Sequence, residues 1–71
     1  MQNMLSALRA DRGWTQRQLA EQLGVSRQTV ISLERGRFDP SLSLAFRIAD
    51  VFDATIEDIF IPNGDRPIVG A

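Results

Sequence analysis

Apolar residues recur along this chain at the spacing of helices. Leu5 and Leu8 follow Met4 near its beginning, and Leu19, Ala20 and Leu23 lie on one stripe. Val30 and Leu33 form a second stripe, Leu44, Ala45, Ile48, Ala49 and Phe52 a third, and Ile56, Ile59 and Phe60 a short fourth. Each set falls on one face at 3.6 residues per turn, and no alternating run lacks a helical alternative, so five helices and no strand are expected. Polar punctuation sets the bounds. The first helix is expected from about Gln2 to Arg12, where Gly13 ends it. Thr15 opens the second, Gln16 to Leu23, with Gln18 three residues on as in a capping box, and Gly24 stops it. Ser26 caps a third, Arg27 to Arg35, closed by Gly36, and Ser41 caps a fourth, Leu42 to Phe52. Thr55 with Asp58 reads as another capping box, opening a brief fifth helix that Pro62 closes. The expected core is Leu5, Leu8, Trp14, Leu19, Leu23, Val25, Val30, Leu33, Leu44, Ala45, Ile48, Ala49, Phe52, Ile56, Ile59 and Phe60. Trp14 and Val25 sit in turns, where they plug the gaps between helices; a lone tryptophan makes no stacking platform for bases.

Composition narrows the chemistry. The chain has 71 residues, enough for one domain with a small core that buries about 60% of the unfolded surface. Residues 1–60 are expected to form that domain and 61–71 a flexible or dimerising tail. With no cysteine and no histidine, disulfides, Cys/His metal sites and the commonest general base are excluded, and no enzyme activity, metal or cofactor is expected. The opening MQNMLSALRADRG has no basic segment followed by an apolar run, and no stretch approaches the roughly 20 apolar residues of a membrane span, so a soluble cytoplasmic protein is expected.

The net charge of −1 conceals a polarised chain. Residues 9–47 hold seven arginines against Asp11, Glu21, Glu34 and Asp39, a net +3, whereas residues 48–71 hold five acids against Arg66, a net −4. Every cation is arginine, whose planar fork suits phosphates and guanine edges.

The second and third helices are joined only by Gly24-Val25-Ser26, a glycine turn short enough to set them steeply across one another. Taken with Thr15-Gln16, Leu19-Ala20, Val30, Leu33-Glu34, Gly36, Pro40-Ser41 and Leu44-Ala45, this segment closely resembles the phage repressor and Cro-like helix-turn-helix family of bacterial and archaeal regulators, over residues 5–60. The resemblance implies an all-α five-helix domain with a helix-turn-helix formed by helices two and three, and a DNA-binding transcriptional regulator whose third helix, Arg27–Arg35, enters the major groove of double-stranded DNA.

On a helical wheel Ser26, Val30 and Leu33 point one way, towards the core, while Gln28, Ile31, Ser32 and Arg35 point the other, flanked by Arg27 and Thr29. Glutamine pairs with adenine, arginine with guanine, isoleucine meets a thymine methyl and serine serves either class. Arg27, Gln28 and Ser32 are therefore the first base-reading candidates, followed by Thr29 and Ile31. For Gln28 the alternative is a solvated face, and for Ile31 packing against helix four. Gln16, at the start of the second helix, takes from the resemblance the role of a phosphate clamp, with Arg35 and Arg37 as further phosphate candidates. Arg17 and Arg47 read as solvated charges, and Arg12 as a partner of its own helix dipole. Glu34, acidic at a helix C-terminus, needs a cation; the resemblance assigns it Arg9, and the alternative is a local pair with Arg35 or Arg37. Asp53 stands where many relatives have the glycine that ends helix four, and aspartate tolerates that left-handed turn.

Two functions compete. One is a homodimeric regulator on a palindrome, its dimer surface the fifth helix and the tail, where Ile61, Ile68 and Val69 lack a core role. The other is a protein-binding module on the same fold, such as an antitoxin whose acidic stretch from Asp50 to Asp58 faces a basic partner; solubility and helix-start capping also account for those acids.

Overall fold

The computed structural model describes residues 2–37 and 39–61. It runs β1 (Gln2–Asn3), α1 (Leu5–Asp11), α2 (Gln16–Leu23), α3 (Arg27–Glu34), α4 (Leu42–Phe52), α5 (Ile56–Ile59) and β2 (Phe60–Ile61). Serine and threonine side chains open four of the helices. Thr15 Oγ1 accepts from the Gln18 N–H (3.0 Å) while Gln18 Oε1 accepts from the Thr15 N–H (2.8 Å), a complete capping box. Ser26 and Ser41 accept from the N–H three residues on. Thr55 does the same to Asp58, but the box expected there is only half made: aspartate is one methylene shorter than the glutamate or glutamine that reaches back. Ser26 is exposed rather than turned to the core, because an N-cap lies outside the helical geometry that the wheel assumed.

The ends of α2 and α4 follow one rule. After α2, Gly24 adopts φ +71°, its N–H reaches the Glu21 carbonyl and the Val25 N–H reaches that of Ala20. After α4, Asp53 takes the same left-handed form at φ 51°, with Asp53 N–H on Asp50 and Ala54 N–H on Ala49. Both are Schellman closures, which return the chain sharply and press the following apolar residue, Val25 or Ala54, onto the core.

Leu5, Leu19, Leu23, Val30, Leu33, Ile48 and Ile59 are fully buried, with Ala20, Ala45, Ala49, Phe52 and Phe60 nearly so. Leu8, Trp14, Val25, Leu44 and Ile56 cover them from outside, joined by Val51 and Ala54, which the periodicity did not single out. Trp14 packs on Phe52 with ring centroids 5.6 Å apart.

Four expectations about the elements and their bounds are corrected. The first helix begins at Leu5, not Gln2: Asn3 Oδ1 accepts from the Leu5 N–H (3.1 Å) in an Asx turn, and residues 2–3 run extended. They pair antiparallel with residues 60–61, Gln2 opposite Ile61 and Asn3 opposite Phe60, so a two-stranded ribbon exists where no strand was expected. The same ribbon ends α5 at Ile59, because Phe60 turns extended to meet Asn3; Pro62 lies outside the described residues. Lastly, the third helix, expected to run to Arg35, stops at Glu34, with Arg35 as its C-cap.

Candidate nucleic-acid interface

The local sequence first fixes how α3 is held. Val30 and Leu33 are fully buried, and Ser26 ties the helix start while Gly36 and Arg37 donate back to the Leu33 and Ser32 carbonyls at its end (3.0 and 3.1 Å). With one side so anchored, the other is presented outward. Arg27 and Gln28 are exposed, and Thr29, Ile31 and Ser32 are half-buried beside them. Thr29 Oγ1 lies 2.9 Å from Ser26 Oγ, so its hydroxyl is engaged at the cap. Ile31 lines a polar cleft with Ser6, Arg9, Gln16, Arg27, Glu34 and Arg35, between α1, α2 and α3, rather than packing against α4. Arg35 and Arg37 are exposed just past the helix.

At the other end of the motif, Gln16 is the first residue of α2, half-buried. Its amide is already engaged: Nε2 donates to Glu34 Oε1 (3.1 Å) and Oε1 accepts from Arg27 Nη2 (3.4 Å). Arg9 reaches the same carboxylate, Nε to Oε2 at 2.7 Å and Nη2 to Oε1 at 3.3 Å, while its Nη1 donates to the Trp14 carbonyl (2.9 Å). The two side chains are only 19% and 8% exposed. The acid that looked misplaced beside an anionic partner is thus neutralised from α1, and not by Arg35 or Arg37 locally.

The structure brings Gln16, Arg27, Ile31 and Arg35 to one cleft, while Gln28, exposed, and Ser32, half-buried, follow on α3 outside its lining. An exposed side with arginine and glutamine donors, no exposed acid from 27 to 37, and a backing acid covered by Arg9 can meet both phosphates and base edges.

Three polar residues have roles that sequence reading missed. Arg47 is exposed, as a solvated charge would be, and its Nη1 also donates to the Leu23 carbonyl (2.8 Å), holding the last turn of α2 from α4. Arg12 caps α1 as expected, and also lies over the Trp14 and Phe52 rings, 5.4 and 5.5 Å from their centroids, with Nη1 3.5 Å from the Val51 carbonyl. Asn3 Nδ2 donates to the Leu33 carbonyl (2.7 Å), tethering the last turn of α3 to β1. For Asn3 a signal existed, since asparagine ahead of an apolar stripe marks a helix start. For Arg47 none did, because its partner is distant in the chain.

Comparison with known proteins agrees with this geometry. The helix-turn-helix family model matches residues 5–59. An uncharacterized HTH-type transcriptional regulator of Methanocaldococcus jannaschii is 55% identical over 66 residues, covering 93% of this chain and 100% of the relative. The uncharacterized HTH-type transcriptional regulator YgzD of Bacillus subtilis is 45% identical over 60 residues, 84% of this chain and 91% of that one. Among solved structures, the clp gene regulator ClgR of Corynebacterium glutamicum superposes with a TM-score of 0.68 at 39% identity, over 76% of this chain and 57% of that chain. A hypothetical transcription factor from Neisseria, NHTF, gives 0.70 at 30% identity, over 84% of this chain and 67% of that chain.

Proposed function

Because this chain belongs to the helix-turn-helix family of transcriptional regulators, we propose that it binds double-stranded DNA sequence-specifically, as a homodimer on a palindromic site. The observation that carries the reading is the two-sided build of α3, with Val30 and Leu33 sealed into the core, Gln28 exposed opposite them and Arg27 exposed on the flank. A helix seated this way fits the major groove. Arg27, Gln28 and Ser32 read base edges, with Thr29 and Ile31 at the margins, and Gln16, Arg35 and Arg37 meet phosphates. The phosphate role of Gln16 falls to its second amide N–H and to the free N–H groups of the first turn of α2, where the helix dipole favours an anion.

One such module spans few base pairs, so two copies are needed for a selective site, with their reading helices about 34–36 Å apart. Support for pairing comes from apolar side chains left uncovered on α4, where Leu42 is 68% and Phe46 55% exposed, close to Ile56 of α5. This moves the proposed dimer surface onto α4 as well as α5. Ile61 is taken up in the ribbon by its backbone, and Ile68 and Val69 lie outside the described residues. Among the described residues no helix is long and apolar enough to cross a membrane.

Selection of sites from random duplex DNA, repeated with Gln28→Ala and Arg27→Ala, tests the reading. Wild type is expected to enrich a palindrome, and each variant to lose preference at one position per half-site. If Gln28→Ala weakens every duplex equally, Gln28 is a positioning contact and its base-reading role is wrong.

A further inference from the structure

Arg9, Glu34, Gln16 and Arg27 form a chain of side chains from α1, through both helices of the motif, to the first base-reading candidate. Its polarity is determined by chemistry. Glu34 is ionised and only accepts, Arg9 and Arg27 only donate, and the Gln16 amide has one group of each kind. Gln16 sits between an acceptor and a donor, and one orientation alone satisfies both: Nε2 towards Glu34, Oε1 towards Arg27. Gln16 Nε2 and Arg9 Nη2 donate to the same Glu34 oxygen, at 3.1 and 3.3 Å, so Gln16 shares the carboxylate with Arg9. Arg27 is exposed, and an unrestrained arginine there samples many rotamers that binding must then freeze out.

We propose that Glu34 is a positioning residue for DNA recognition: by fixing the sense of the Gln16 amide, it turns Gln16 Oε1 outward to hold Arg27 in its reading pose. This rests on the DNA-binding reading above. Arg9 then has two tasks, neutralising Glu34 and pinning the start of α2 through the Trp14 carbonyl. Arg27 spends one donor on Gln16 and keeps the others for a base or phosphate.

Glu34→Gln probes the mechanism at nearly constant shape. An amide at position 34 that gives its oxygen to Arg9 presents its NH2 to Gln16. Gln16 must then flip, its Nε2 meets the Arg27 donors, and Arg27 is released. On the duplex selected by wild type, well below each variant's unfolding midpoint, Glu34→Gln should weaken binding roughly tenfold and flatten preference at the base pair where Arg27→Ala does so. In a Gln16→Ala background the same change should add less than about twofold, since the intermediary is already gone. A lowered midpoint with affinity and preference intact, or losses that simply add in the double variant, would overturn the proposal and leave Glu34 a strut. Failure of wild type to select any duplex would instead sink the regulatory reading, and this proposal with it. A measurement on the free wild-type protein stands even where Glu34→Gln does not fold. The two side-chain amide protons of Gln16 should be separated more widely in proton chemical shift than those of exposed Gln22 and Gln28, and should not respond like theirs to added salt. Coincidence with those two glutamines would overturn the arrangement.

Discussion

Asp53 carries a Cβ in a backbone conformation, φ 51°, that costs L-residues about 1–2 kcal/mol. Glycine there removes that strain but loses more chain entropy on folding, so Asp53→Gly should raise stability by about 0.5–1 kcal/mol. Asp53→Val, β-branched, should lower it by more than that. Thermal unfolding of the three proteins checks the order, and the α4–α5 turn is the only feature either change touches. Arg9 behaves oppositely. Its removal leaves Glu34, 8% exposed, without its cation, and frees the Trp14 carbonyl as well, so Arg9→Met should cost about 3 kcal/mol in urea denaturation. Arg9→Lys should recover only part of this. An ammonium cannot span the carboxylate and the Trp14 carbonyl at once, as the guanidinium does with three separate nitrogens.

In the proposed reading the third helix works as a unit, its inner side deciding stability and its outer side binding. Arg37→Ala and Arg35→Ala should each reduce the slope of log affinity against log salt by about 1 for every phosphate left without its arginine, with little change in which sequence is preferred. Arg27→Ala and Gln28→Ala should change the preferred sequence while leaving thermal midpoints nearly unmoved, since both side chains are exposed. The buried side of α3 and the helix bounds were legible in the sequence because they rest on local signals. Thr15, Ser26 and Ser41 open helices where hydroxyls before apolar stripes predict them, and the bounds of α2 and α4 fall where Gly24 and the 52–53 step put them. What was not legible depends on partners far along the chain. A two-residue strand has no period, so β1 and β2 are defined only by meeting each other from opposite ends of the domain. Arg47 is solvated as it looked, but its bond to the Leu23 carbonyl shows only once α2 and α4 are packed, and Arg12 looked local until the Trp14 and Phe52 rings were beside it. The Arg9–Glu34 contact was legible only through family resemblance; charge alone left Arg35 and Arg37 as rivals.

The two surfaces of the proposed function have opposite electrostatics. Arginines gather at the exposed side of α3 and after it, whereas Asp50 and Glu57 edge the hollow where exposed Phe46 lies beside Ala49, Ala54 and Ile56. Burying Phe46 and Leu42 against a second copy would remove large apolar side chains from water, each contributing about 1.5–3 kcal/mol when fully covered. It would also bring two acidic rims together. Salt should therefore act in opposite senses on the two surfaces: raising it screens the rims and tightens the dimer, while it weakens binding to phosphate. Sedimentation at low and high salt reads the first effect, and duplex binding at the same salts the second. Phe46→Glu should abolish pairing, because it puts two further carboxylates into an apolar contact. It should leave α3 untouched, since Phe46 is 55% exposed and makes no part of the core. Such a monomer should still bind a half-site with wild-type base preference, but lose affinity for the full palindrome on the order of a hundredfold, as the second half-site is no longer tethered. If Phe46→Glu sediments as wild type does, and binds the palindrome equally well, the pairing surface lies elsewhere and α4 is exposed for some other reason. If wild type is itself monomeric with and without DNA at high micromolar concentration, the palindrome expectation fails at its root.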